Sequence, residues 1–415
     1  MIDLSRRLAV ARGDAPADLV VRGGRVFCVF TREWLDVDVA VADGYVAGLG
    51  RYDGAEVVDA SDRWVVPGFV DAHMHLESTK LLMDELARLL LPLGTTAVVV
   101  DPHEIANVLG TDGIHWLLDA CAELPLDVLF MASSSVPASV FESPRRALSP
   151  GDLEGLLRRR RVIGLAEMMN FPGVVSGEPS ELAKLHLAGA THVDGHAPGV
   201  VGKTLNAYAA AGIRSDHEAI SVEEGRERLR LGMWLLVREA TGARNLHALL
   251  PLARELGPSR IAFCTDDREP EHVVDEGHVN GMVRDAVAFG IPPEDALVMA
   301  TLNPAQWHGL GEHGAVAPGW KADLLLLSDL ERFTPDLVLK DGRPIGEIPR
   351  PDVPEWVKHT VRVTAIAGVR FRLPAANGRV RVIGVVRDQI VTEALEEEPT
   401  VVDGLVVADP DRDLA

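Results

Sequence analysis

Between residues 18 and 66 the apolar positions come in brief β-branched runs, at 19–21, 25–29, 37–41, 45–49 and 56–58. Gly and Asp turns such as Gly23-Gly24 and Asp43-Gly44 separate them, which predicts the short strands of a small sheet. After Trp64 the pattern changes. Apolar runs of four to eight residues now alternate with helical stretches such as 83–91, 113–123 and 223–231, the sign of βα units around a parallel sheet. Candidate strands fall at 65–75, 95–101, 127–133, 162–167, 192–196, 213–217, 233–237 and 260–265. That number of strands within about 250 residues is the size of a closed (β/α)8 barrel. An open doubly wound sheet is the runner-up, but no glycine-rich phosphate turn follows an early strand. Beyond Gly314 short strands return at 322–327, 337–343 and 361–365.

The expected architecture is therefore α/β: a (β/α)8 TIM-like barrel over residues 67–313, with a small β-sandwich domain built from both chain ends, 1–66 and 314–370. Residues 371–415 read as the truncated start of a C-terminal domain.

Charge narrows the partners. The 41 basic residues are outnumbered by 62 acidic ones, a net charge of −21, which argues against nucleic acid and anionic lipid, both of which need a basic face. Arg158–Arg161 is then most simply a solvated helix end. Three scattered cysteines, Cys28, Cys121 and Cys264, are too few for a disulfide framework. The N-terminus lacks the apolar core of a secretory signal, and the longest apolar region is broken by Asp84, Glu85, Arg88, Pro92 and Gly94. A cytoplasmic location is expected.

Chemistry enters at Asp71-Ala-His73-Met-His75, at the end of the first barrel strand. Residues two apart on a strand face the same side, so both imidazoles share one space. Two histidines alone are weak evidence of a metal site, since strand histidines are more often packing. Glu167, His196, His217 and Asp266, however, fall at the ends of the fourth, fifth, sixth and eighth candidate strands. Those ends converge on the face where barrel enzymes keep their active sites, so the six residues are candidate ligands of divalent metal. His192 and Cys264 lie deeper on their strands and read as core. Arg238, Glu239 and His278 have no assigned role.

This arrangement resembles the amidohydrolase superfamily. Longer phrases are similar to adenine deaminases of the bacterial type: Pro67-Gly-Phe-Val-Asp-Ala-His-Met-His-Leu-Glu-Ser78, Gly94-Thr-Thr-Ala-Val-Val-Val-Asp-Pro-His-Glu-Ile-Ala-Asn107, Asp194-Gly-His-Ala-Pro-Gly199, Cys264-Thr-Asp-Asp-Arg268, Glu276-Gly-His278 and Ala300-Thr-Leu-Asn-Pro-Ala305. The likeness runs from about residue 20 to about residue 345. It implies two divalent ions, Mn or Fe first and Zn as a further choice, held by His73, His75, Glu167, His196, His217 and Asp266. Glu167 stands where many members carry a carbamylated lysine, and would bridge the ions. The implied reaction is hydrolytic deamination of adenine by hydroxide, with Asp266 carrying the proton. Glu77, Ser78, His103 and Glu104 would contact the purine, although His103 and Glu104 could instead hold a further ion. A homo-oligomer is compatible with the resemblance. Another amidohydrolase acting on a cyclic amide or a related purine is the alternative within enzymes, and a non-catalytic scaffold the alternative outside them.

Overall fold

The computed structural model describes residues 4–139, 141–189, 191–360, 373–375 and 378–414. Five parallel strands follow one another in chain order: β1 (Phe69–Met74), β2 (Thr95–Val100), β3 (Asp127–Ala132), β4 (Val162–Met168) and β5 (His192–Gly195). A second parallel set holds β6 (Ser215–Asp216), β7 (Trp234–Arg238) and β8 (Ile261–Cys264). Just past β8, Asp266 pairs in parallel with Met74 at the end of β1, and its N–H donates to His73 O at 2.9 Å. Between β5 and β6 the Gly195 N–H reaches Ser215 Oγ at 3.1 Å.

The helices lie where the 3.6-residue period puts them. In Met83–Leu90 the apolar residues Met83, Leu86, Ala87 and Leu90 are all buried, spaced as one face of a helix requires. Gly94 then ends the segment with φ 88°, and a Cβ there would come within 2.7 Å of a Leu325 methyl. Only glycine fits both demands.

The expected strand 65–75 is two strands. Trp64–Pro67 belongs to a different sheet, and β1 begins only at Phe69. Gly68 makes the break: its N–H bonds Asp323 O at 2.8 Å, and a Cβ would sit 2.1 Å from Thr96 Oγ1. The chain thus changes sheets at a residue that lets two backbones touch. The sixth strand is likewise shorter than 213–217, because hydrogen-bonded pairing covers only Ser215–Asp216.

Trp64–Pro67 pairs with Arg25–Cys28 on one side and with Leu324–Leu327 on the other. Glu33–Asp36, Leu337–Lys340 and Arg343–Pro344 complete that sheet. A four-stranded sheet orders Tyr45–Leu49, Val39–Ala42, Ala17–Arg22 and Gly54–Asp59. Leu19, Val21, Val39, Val41 and Val46 share one apolar cluster with Val26, Val65, Leu324, Leu326 and Leu339.

The chain divides into two compact units, Met1–Asp352 and Val353–Ala415. The second holds an antiparallel hairpin, Val380–Val385 with Thr392–Glu397, and a small sheet of Leu373–Pro374, Leu405–Val406 and Val401–Val402. The expected strand at 361–365 lies outside the described residues. Among the described residues no helix is long and apolar enough to cross a membrane.

Candidate metal centre

His73 and His75 leave the end of β1 on one side, with ring centroids 4.9 Å apart. Their imidazoles meet Glu167, from the end of β4: His75 Nε2 lies 3.5 Å and His73 Nε2 3.9 Å from Glu167 Oε1. The other carboxylate oxygen faces the next two strand ends, with His196 Nδ1 at 2.7 Å and His217 Nε2 at 3.3 Å from Oε2. Asp266 closes the ring, its Oδ1 3.4 Å from His75 Nε2 and its Oδ2 3.8 Å from His217 Nε2. The six residues singled out in the sequence thus come together in one cluster, four imidazoles on the Glu167 carboxylate and Asp266 against two of them.

The donor chemistry fits divalent metal. His73, His75 and Asp266 form one group, and His73, Glu167 and His217 another, each with ligand atoms within 4.8 Å of one another. His73 Nε2 is buried without a hydrogen-bond partner, an arrangement that is costly unless a cation or a donor completes it. His196 Nδ1 and His217 Nε2 lie 3.3 Å apart against the same oxygen. Imidazole and carboxylate together suit Mn, Fe or Zn.

Electrostatics follow the packing. Burial alone lowers the basicity of every histidine here. It prevails at His73, helped by His217. At His217 it is outweighed by Glu167 and Glu218, which hold the imidazole well above its ordinary range. Burial would push Glu167 up, but His196, His217 and His73 hold it well below.

The four expected purine contacts sit beside this cluster. Glu77 is half-buried; its Oε1 accepts the Ile105 N–H at 3.0 Å and its buried Oε2 has no partner. Burial and the Glu104 carboxylate push Glu77 up to about 8. Ser78 donates to Asp267. His103 donates to Asp101 Oδ2 at 3.2 Å and lies 3.6 Å from Glu167 Oε1, while Glu104 Oε1 lies 3.5 Å from His75 Nδ1. His103 therefore also completes a donor group with His75 and Glu167, and Glu104 one with His75 and Asp267.

Two acids that the sequence reading passed over are also here. Glu218 follows His217 directly, is buried, and stands 3.3 Å from His217 Nε2 and 3.4 Å from His196 Nδ1. Its position beside a strand-end histidine was the available signal. Asp267, next to Asp266, is held by Ser78. Arg238, fully buried at the end of β7, donates to Glu218 and, at 2.9 Å, to Asp266 Oδ2. Glu239 points elsewhere and accepts the Leu246 N–H. His278 lies among Thr95, Thr265 and Asp71. Cys264 packs with Ala72, Leu236, Ala262 and Trp307, and His192 bonds His308 at 3.1 Å.

Comparison with known proteins agrees with this geometry. Residues 64–345 match the Amidohydrolase family. An adenine deaminase of Archaeoglobus fulgidus is 46% identical, over 95% of this chain and 70% of its own length. Adenine deaminase 2 of Carboxydothermus hydrogenoformans is 42% identical, over 98% and 72%. The solved N-acetyl-D-glucosamine-6-phosphate deacetylase from Mycobacterium smegmatis shares the fold, with a TM-score of 0.58 at 20% identity over 79% of this chain and all of its own. The chain belongs to the amidohydrolase family and, within it, to the adenine deaminases.

Proposed function

We infer that this protein hydrolyses adenine to hypoxanthine and ammonia. The observation that carries the reading is the convergence of His73, His75, His196 and His217 on the two oxygens of Glu167, with Asp266 against His75 and His217, in a chain whose relatives are named adenine deaminases. Two divalent ions held by these six residues, Mn(II), Fe(II) or Zn(II), would supply hydroxide at neutral pH. Glu167, with each oxygen turned to a different pair of imidazoles, would be a ligand common to both pairs.

The remaining work belongs to the chain's own groups. The oxygen of water joins C6 of adenine, and the bond from C6 to the exocyclic nitrogen breaks. The Asp266 carboxylate takes the proton of the attacking water and returns it to the departing nitrogen, which leaves as ammonia. Arg238 Nη1, donating to Asp266 Oδ2, keeps that carboxylate turned towards the reacting atoms. Glu77, Ser78, His103 and Glu104 orient the purine. Glu77 Oε2 is the strongest candidate among them, because it is a buried acceptor still without a donor.

The scaffold under this site is read as a closed (β/α)8 barrel beside a small β-sandwich domain formed by residues 1–66 and 314–370. The Met74–Asp266 pairing and the strands shared between Trp64–Pro67 and Leu324–Leu327 support that reading.

The test is ammonia release from purified protein stripped with chelator and reloaded with Mn(II), Fe(II) or Zn(II). Adenine should be consumed only in the loaded states. Ring opening of a cyclic amide with adenine left intact would favour the alternative amidohydrolase.

A further inference from the structure

Asp266 does more than end a strand. Its backbone is left-handed, with φ 55°, a conformation that few non-glycine residues adopt and that persists only where the surroundings over-determine it. What holds it there lies behind the metal-facing atoms. Asp71, two residues before His73, accepts the His73 N–H at 3.2 Å and the Thr265 N–H at 3.1 Å on Oδ1. Its Oδ2 accepts the Thr265 hydroxyl at 2.5 Å and lies 3.2 Å from His278 Nε2. The other nitrogen of His278 meets Thr95 Oγ1, on β2, at 2.9 Å. Asp71, Thr95 and Thr265 are fully buried, and His278 is 1% exposed.

One carboxylate therefore gathers N–H and O–H groups from the residue beside Asp266 and from His73 itself. It fixes the end of β1 against the end of β8, while the Asp266 N–H to His73 O bond, at 2.9 Å, ties the same two turns in front. Asp71, Thr265 and His278 are not among the six residues that converge at the centre.

We propose that Asp71, Thr265 and His278 form a positioning clamp that presets Asp266 and His73 for metal, so that the ion held between them depends on a network it never touches. The clamp rests on the metal-site reading. Groups that orient ligands from behind typically change metal affinity or activity 10- to 100-fold when altered.

The test is Thr265→Val, which keeps the shape and removes the hydroxyl, beside Thr265→Ser, which restores it. Val283→Ala, a core truncation that removes none of the clamp's hydrogen bonds, serves as the stability control. Mn(II) binding followed by electron paramagnetic resonance needs no substrate, so it separates this proposal from the adenine assignment. If wild-type protein binds Mn(II) yet leaves adenine intact, the functional reading fails and the clamp is still decided by the variants.

The expected result is a folded Thr265→Val protein with at least a 10-fold weaker Mn(II) dissociation constant for one ion and a changed spectrum. Thr265→Ser should recover both, and Val283→Ala should bind normally despite a lower Tm. If Thr265→Val does not fold, His278→Gln carries the same comparison. Wild-type Mn(II) affinity and spectrum in the folded clamp variant would overturn the proposal, as would an equal loss in Val283→Ala.

Discussion

Asp266 and Glu104 separate chemistry from orientation at the scale of single residues. Asp266→Asn keeps the volume and an oxygen for Arg238 Nη1, but it loses the basic carboxylate. Loss of a general acid–base step costs typically about 10²–10⁴-fold, so kcat on adenine should fall by that much in a variant that still binds two ions. Normal turnover at full metal content would mean that Asp266 is not the proton carrier. Glu104→Gln should lower kcat/KM with metal content intact, because a lost substrate contact acts through binding and orientation. Its Oε1 stands 3.5 Å from His75 Nδ1, so elemental analysis decides between roles: loss of an ion on Gln substitution would move Glu104 to the metal shell. The six converging residues were legible because each stands at the end of an apolar run, where parity and strand direction fix the side. Glu218 was not, since an acid one residue past a strand end can turn either way. Here Arg238 turns it inward, from a strand that carries none of the six converging residues.

The βα alternation marked every parallel strand to within a few residues, because a strand buried on both faces reads as a continuous apolar run. It failed where pairing rather than composition sets the boundary. Trp64–Pro67 and Phe69–Met74 form one apolar stretch and differ only in partner. Ion pairs between distant elements were equally silent in the sequence. Lys340, at the end of Leu337–Lys340, reaches Asp127 Oδ2 at the start of β3 at 2.9 Å and Asp323 Oδ1 at 3.0 Å, with a side chain 4% exposed. Burial would push the Asp127 carboxyl up. A hydrogen bond from His313 and the ammoniums of Lys340 and Lys321 outweigh it and hold the group well below its ordinary range. A depressed carboxyl contributes stability that is present above its unfolded pKa of about 3.9 and is lost as pH falls through the lower folded value. Lys340→Met takes the cation from buried Asp323 and leaves Asp127 to Lys321 and His313, and breaking a buried pair costs about 3–5 kcal/mol. Urea unfolding should show that deficit at neutral pH and a smaller one below about pH 3.9, where the unfolded carboxyl is protonated while the folded one is still ionised. A deficit unchanged between neutral pH and pH 3 would remove the ion pair as its cause.

At the scale of the molecule, the −21 charge and the metal centre act together. A chain this acidic repels itself, and Glu167, Asp266 and Glu218 concentrate carboxylates in a buried space, where Arg238 contacts Glu218 and Asp266. Divalent ions bound there relieve that repulsion in the folded state alone, because the six candidate ligands run from His73 to Asp266 along the chain and meet only once it has folded. Binding to the native state alone stabilises by about 2.7 kcal/mol per site at a free-ion concentration 100 times the dissociation constant. Thermal unfolding should therefore shift upward with added Mn(II) and downward with chelator. Mg(II), a harder ion suited to oxygen ligands in octahedral geometry, should do much less at the same concentration, because four of the six donors are imidazoles. The shift should shrink in Asp266→Ala, which removes a ligand, and persist in Lys340→Met, whose damage lies elsewhere. Equal Tm values with Mn(II), with Mg(II) and with chelator would mean that the cluster does not bind metal in the folded protein, and the hydrolytic reading would lose its basis.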